Sequence, residues 1–281
     1  MKIICDIGHP AHVHLFKNVL WELERRGHKY LITTRDKEVT LQLLKAYNMP
    51  FFSFGKHYTN TRGKIYGMVK FDLMLFNLAR RFRPDIFISH GSIYAAQVSA
   101  LIGKPHISLE DTGNKEQIRL YKPFTKVILT SNIFHQDFGR KQICYNGYHE
   151  LAYLHPNYFI PDRSILKKLG VNEDEKYIIV RFVSWQASHD ISHKGITIEN
   201  KINAVKEFSK YAKVFVSSEV ELPYEIKQHK INIPPEKMHD ALAFASLFVG
   251  EGATMASECV MLGTPAIYVN PLSAGTLEEQ E

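Results

Sequence analysis

One run of small residues, V-G-E-G-A-T-M-A-S-E-C-V-M-L-G-T-P at 249–265, passes from an apolar, strand-length segment through two glycines into a helical pattern. Amides at a helix start have no intrahelical acceptor, so those of Ala253, Thr254 and Met255 offer a cradle for phosphate. Gly250 and Gly252 permit close backbone approach there. Glu258 follows Thr254 by four residues and shares its face, where a carboxylate accepts hydrogen bonds from ribose hydroxyls. The same residues also suit a plain strand-to-helix turn whose glycines serve packing.

Three other loops carry reactive side chains. D-I-G-H-P-A-H-V-H places His9, His12 and His14 just after an apolar run, and imidazole suits proton transfer near neutrality. Their i, i+3, i+5 spacing is not the same-face pair of helical zinc sites and no acidic companion follows, so no metal is expected. At least one of them is expected to cap the helix or fill a wall. In I-S-L-E-D-T-G-N-K, Glu110 and Asp111 form adjacent carboxylates able to act as a general base. Alternatively Asp111 opens an Asx-turn with Gly113 and Glu110 is solvated. R-F-V-S-W-Q-A-S-H-D-I-S-H-K-G brings Arg181, Ser184, His189, Asp190, His193 and Lys194 together, and Trp185 argues against full exposure of that loop.

These loops need elements to hold them. Strand-length apolar runs at 2–6, 30–33, 51–54, 85–89, 106–109 and 126–130 alternate with helical patterns, as in parallel βαβ units. The alternation lapses across 151–163, with Pro156 and Pro161, and resumes with strands at 177–182, 213–217, 247–249 and 266–269. The expectation is an α/β chain of two doubly wound domains: 1–150, a linker at 151–163, and 164–281. Such domains face a cleft at the carboxyl ends of their strands. The second has fewer elements and reads as truncated at its carboxyl end.

Residues 1–150 hold 22 Lys and Arg against 12 Asp and Glu, a net +10 within an overall +6, leaving −4 for the rest. A basic half suits phosphorylated small molecules or anionic lipid, and no nucleic-acid motif accompanies it. Residues 62–83 mix apolar and basic side chains. They read either as a core helix with a basic end or as a peripheral contact with anionic membrane. No membrane span or signal sequence is evident, and Cys5, Cys144 and Cys259 form no paired motif, so a cytoplasmic protein with reduced thiols is expected.

G-A-T-M-A-S-E followed by L-G-T-P-A resembles the nucleotide-sugar motif of GT-B glycosyltransferases and of non-hydrolysing UDP-N-acetylglucosamine 2-epimerases. With D-I-G-H-P-A-H-V-H-L-F, Y-N-G-Y-H-E-L-A-Y-L-H-P and R-F-V-S-W-Q-A-S-H-D, nearly the whole chain resembles a prokaryotic family catalogued as domain of unknown function 354. The resemblance implies a GT-B fold of two Rossmann-like domains, with members found in surface-polysaccharide synthesis. It implies a nucleotide-diphosphate sugar as donor substrate, no separate cofactor, and a saccharide or lipid-linked acceptor. On this likeness Gly250 to Met255 hold the diphosphate, helped by Arg181, Ser184 or Lys194, and Glu258 holds the ribose. His9, His12, Glu110, Asp111 and His189 are then the catalytic candidates. H-I-S-L-E-D-T departs from the epimerase pattern at that place, so transfer is the first reading, with epimerisation or a non-catalytic sugar-nucleotide-binding subunit as alternatives.

Overall fold

The computed structural model of this 281-residue chain describes residues 1–56, 58, 61–184, 195–271 and 277–280. Its two compact units are Met1–Tyr153 and Leu154–Glu281.

The first unit is a seven-stranded parallel sheet of β1 (Lys2–Ile7), β2 (Lys29–Asp36), β3 (Phe51–Lys56), β4 (Ile86–His90), β5 (His106–Leu109), β6 (Val127–Ser131) and β7 (Gln142–Tyr145), in the order β3-β2-β1-β4-β5-β6-β7. Helices α1 (Pro10–Arg25), α2 (Thr40–Ala46), α3 (Thr61–Phe82), α4 (Ile93–Leu101) and α5 (Lys115–Tyr121) connect successive strands. A strand covered on both faces reads as a continuous apolar run, and β1 shows why. Ile3, Cys5 and Ile7 pack with Val13, Phe16 and Leu20 of α1, while Ile4 packs with Phe71 and Leu75 of α3 and Val98 of α4. Each fully buried side chain of this kind contributes roughly 1.5–3 kcal/mol.

Sequence patterning misses β7, because this edge strand has little apolar signal: Ile143 is 54% exposed and Cys144 is also exposed. α3 buries one face and leaves Ile65, Tyr66, Val69 and Leu73 exposed, a stripe that ends near the exposed Arg80 and Arg81. Among the described residues no helix is long and apolar enough to cross a membrane.

The stretch expected as linker contains a short helix, α6 (Leu151–Leu154). Beyond it, α7 (Ser164–Leu169) ends at Gly170 in the left-handed conformation. The second unit's sheet comprises β8 (Tyr177–Phe182), β9 (Lys213–Ser218), β10 (Leu247–Gly250) and β11 (Ala266–Tyr268), all parallel in the order β11-β10-β8-β9. α8 (Ile198–Phe208), α9 (Met238–Ala243) and α10 (Ala253–Leu262) accompany it. β8 again packs both faces, Tyr177 and Ile179 on one core, Ile178, Val180 and Phe182 on the other.

Candidate functional site

Strand order reverses beside β1 in the first unit, which lies between β2 and β4. Doubly wound sheets bind ligands at the carboxyl ends of strands flanking such a point. A buried network fixes this end of β1. Asp6 accepts from Thr33 Oγ1 at 2.7 Å, from Arg35 Nη1 at 2.7 and 2.8 Å, and from Ser92 Oγ at 2.5 Å. Ser92 also caps α4 by accepting from the Ala95 amide at 3.1 Å, so one carboxylate ties β1, β2 and α4 together.

Around that point four side chains from distant segments meet. His12 lies on α1, its ring centroid 4.5 Å from that of His90, the last residue of β4. His90 Nε2 stands 2.8 Å from Asp111 Oδ1, and His149 Nδ1 stands 2.8 Å from Asp111 Oδ2. Gly91 turns the chain directly after His90 at a φ of 59°, a left-handed conformation that favours glycine. His149 Nε2 is buried with no partner among the described residues.

The electrostatics follow from this packing. Desolvation opposes the Asp111 charge, yet the His90 and His149 imidazoles hold its carboxyl well below the usual range. Desolvation likewise opposes a charge on His90, but the Asp111 carboxylate raises it to about 9, so His90 is a cation at neutral pH. Burial, and then the neighbouring His90 charge, push His12 well below 6.5 and leave it neutral. The Asp111 side chain is 34% exposed, whereas those of His90 and His149 are below a tenth. Two of its roughly four lone-pair sites face the imidazoles, which leaves acceptor capacity toward solvent.

Glu110 and Asp111 take roles opposite to the turn alternative raised by the sequence. Glu110 is the buried turn-former: its Oε1 accepts from Thr112 N at 2.9 Å, Thr112 Oγ1 at 2.7 Å and Gly113 N at 2.9 Å, and its Oε2 accepts from Tyr121 OH at 2.6 Å. A carboxylate so fully engaged is a structural element. His9 caps α1, its Nδ1 accepting from the Ala11 amide at 3.2 Å, and His14 is buried against Tyr47 and Tyr153. Of the three loop histidines only His12 joins the Asp111 group. His90, Asp111 and His149 each offer a ligand atom within 4.8 Å of the others, a donor set of the type that takes a divalent cation. In this arrangement the carboxylate already serves as hydrogen-bond partner to both rings.

In the second unit, β8 lies between β10 and β9, so the turn after β10 is the equivalent place. α10 starts there with Gly252 as N-cap and no side chain capping it; Thr254 is exposed and Ala253 and Met255 are half-buried. The helix start is therefore open to an anion. Gly250 has a different reason for being glycine: a Cβ would lie 2.7 Å from Arg181 Cβ and 3.1 Å from Arg181 O, so it serves strand packing. Glu258 is buried, with Oε1 3.0 Å from His239 Nε2. Arg181, expected as a free cation for diphosphate, donates to Ser217 Oγ at 2.8 Å and to Glu219 Oε1 at 2.6 Å. Ser184 donates its amide to Glu219 Oε2 at 3.0 Å. His189, Asp190, His193 and Lys194 lie outside the described residues.

Sequence reading missed His90, His149 and Glu251. His90 closes β4, so a histidine at the end of an apolar run was the available signal for it; His149 follows β7, which has no such run, and left none. Glu251 is buried; its carboxylate accepts from Val183 N at 3.1 Å and Ile196 N at 2.7 Å and lies 3.4 Å from Lys201 Nζ. It ties Val183 and Ile196, 68 and 55 residues away in sequence, to the turn after β10, which no local pattern reveals.

The family model described as "Protein of unknown function (DUF354)" matches residues 1–278, and the chain belongs to that family. An uncharacterised protein of Methanocaldococcus jannaschii is 27% identical over 96% of this chain and 82% of its own length. Among solved structures, a UDP-GlcNAc 2-epimerase from Neisseria meningitidis bound to UDP-GlcNAc is similar with a TM-score of 0.73 at 13% identity, over 98% of this chain and 84% of that one. The UDP-GlcNAc 2-epimerase of M. jannaschii gives 0.65 at 12% identity, over 100% and 90%. The Streptomyces sp. SF2575 glycosyltransferase SsfS6, complexed with thymidine diphosphate, gives 0.61 at 14%, over 99% and 84%. The fold is that of these GT-B, Rossmann-like enzymes.

Proposed function

We propose that this protein uses a nucleoside-diphosphate sugar and transfers its sugar to an acceptor hydroxyl. The carboxy-terminal unit supplies the nucleotide turn, with the amides of Ala253–Met255 for the diphosphate, and Glu258 for the ribose once its buried carboxylate is released from His239. The amino-terminal unit supplies the base. One observation carries the reading: the Asp111 carboxylate is one-third exposed at the carboxyl end of β5 and braced at 2.8 Å by each of two imidazoles, which hold its carboxyl well below the usual range.

The chemistry suits displacement at an anomeric carbon. As the acceptor oxygen bonds to that carbon and the diphosphate departs with its electron pair, the attacking hydroxyl becomes strongly acidic. A weak carboxylate base then suffices, and Asp111 takes the proton. His90, already charged, steadies the carboxylate, while neutral His12 beside it hydrogen-bonds the acceptor. Epimerisation is the second reading, favoured by the overlay on an epimerase with the higher TM-score of 0.73. It must remove a proton from carbon, a far weaker acid, for which a carboxyl held so low is poorly matched. An acceptor in envelope polysaccharide synthesis and a peripheral membrane contact fit the exposed apolar stripe and terminal arginines of α3.

Thermal-shift measurement against nucleoside diphosphates and their sugars tests the assignment. A ligand at 100 times its Kd stabilises by about 2.7 kcal/mol, so the correct donor raises Tm visibly. Absence of a response across the panel counts against the whole reading.

A further inference from the structure

We propose that the first unit carries a second ligand site, an anion-binding groove for a phosphate-bearing carbohydrate beside α5. The open groove offers about 490 Å³ and is lined by Lys115, Arg119, Lys122, Lys141 and Gln136 together with the apolar Ile118 and Pro123. That volume suits a small ligand. No carboxylate lines it, and among the described residues none of its four cations forms a salt bridge.

Two of the four are held in place. Lys141 Nζ donates to the carbonyl oxygens of Lys122 at 2.7 Å and Pro123 at 3.0 Å. An ammonium has three donors, so one remains for a ligand. Lys122 Nζ sits 5.3 Å from the Phe138 ring centroid, which fixes the charge without neutralising it. Lys115 and Arg119 are four residues apart on α5 and share a face. Like charges gathered in one concavity repel, and a multiply charged anion relieves the repulsion. Phosphate fits better than a single carboxylate, because it offers more charge and enough oxygens for a guanidinium fork together with ammonium groups. Pro123 and the edge of Ile118 add apolar lining for sugar C–H groups. The site uses none of the residues of the transfer reading and stands independently of it.

The full chain, labelled at isoleucine methyls, is titrated with glucose 1-phosphate and, as a control, glucose. The Ile118 methyl is expected to shift saturably with the phosphate alone, and binding should weaken as rising salt shortens the screening length. The double variant Lys115→Ala/Arg119→Ala changes exposed side chains only. It should lose about tenfold or more in affinity, while Arg25→Ala/Arg26→Ala, exposed elsewhere, should lose none. Phosphatidylglycerol vesicles that shift Ile118 where glucose 1-phosphate does not would still support phosphate recognition and make a lipid its source. No Ile118 shift with either probe, an equal shift with glucose, or equal loss in both double variants overturns the proposal. So does tighter binding at Ile118 by a single-stranded oligonucleotide, which would make this a nucleic-acid surface. These outcomes are separable from failure at the nucleotide turn, because Ile118 reports only on the first unit.

Discussion

Replacing Asp111 by Asn removes one charge and changes almost no volume, so its consequences can be worked from the geometry. In the wild type His90 is raised from 6.5 to about 9, chiefly by Asp111 once the opposing desolvation is overcome. A raised folded pKa contributes stability that is fully present below the unfolded value of about 6.5 and is lost as pH rises through about 9. The shift corresponds to about 3 kcal/mol of linked stability. The depressed carboxyl of Asp111 is the other end of the same pair; its contribution is present above an unfolded pKa of about 3.9 and is lost as pH falls, and it is not counted twice. In Asp111→Asn, burial of His90 is opposed mainly by the more modest influence of Glu110, and its pKa should fall to 6.5 or lower. Titration of the histidine Cε1 resonances reads the pKa directly, and urea unfolding at pH 6, 7.5 and 9.5 reads the linkage. Wild type should lose stability across the upper interval, whereas the variant should be less stable at pH 6 and nearly flat above 7. A wild-type His90 titrating near 6.5, or the same alkaline loss in both proteins, would refute the electrostatic account of the site.

Other substitutions separate structure from chemistry. Glu110→Gln disturbs the buried acceptor of Tyr121, Thr112 and Gly113 and should cost about 1–3 kcal/mol in urea unfolding, with turnover per folded molecule retained. Gly250→Ala places a methyl against Arg181 of the neighbouring strand and should destabilise by about 1–3 kcal/mol; calorimetry should show nucleotide affinity unchanged in the folded protein. Glu258→Gln should weaken nucleotide binding by about 1.5–3 kcal/mol. Deoxynucleotides lacking the 2′-hydroxyl should bind wild type more weakly yet lose little further in that variant. Simple addition of the two losses would show that Glu258 does not hold the ribose.

Much of the fold was legible because buried parallel strands are continuous apolar runs. β1, β5 and β8 fall where such runs stand. β7 was not legible, since an edge strand with exposed Ile143 and Cys144 carries no burial pattern. The site was partly legible. Asp111 and His12 were visible as reactive types following strands, but their partners His90 and His149 come from segments 21 and 38 residues away from Asp111. Only the sheet order brings those segments together. The roles of Glu110 and Asp111 were open in sequence because adjacent residues point in different directions, and only burial decides which one is spent on the turn. Arg181 shows the same limit: a cation near a strand's end reads as a ligand for phosphate until Glu219 is found just beyond the neighbouring strand.

The central claim, sugar transfer with Asp111 as base, is tested most directly by product analysis in deuterium oxide. The protein is incubated with the donor identified by thermal shift, with and without a candidate acceptor. Nucleoside diphosphate should appear only when the acceptor is present. Turnover should collapse in Asp111→Asn while donor affinity is nearly unchanged, as for a group used in the transition state. Recovered donor sugar should carry no deuterium at carbon 2. Deuterium at that carbon in the absence of acceptor, lost in the same variant, would contradict transfer and establish epimerisation at the same carboxylate.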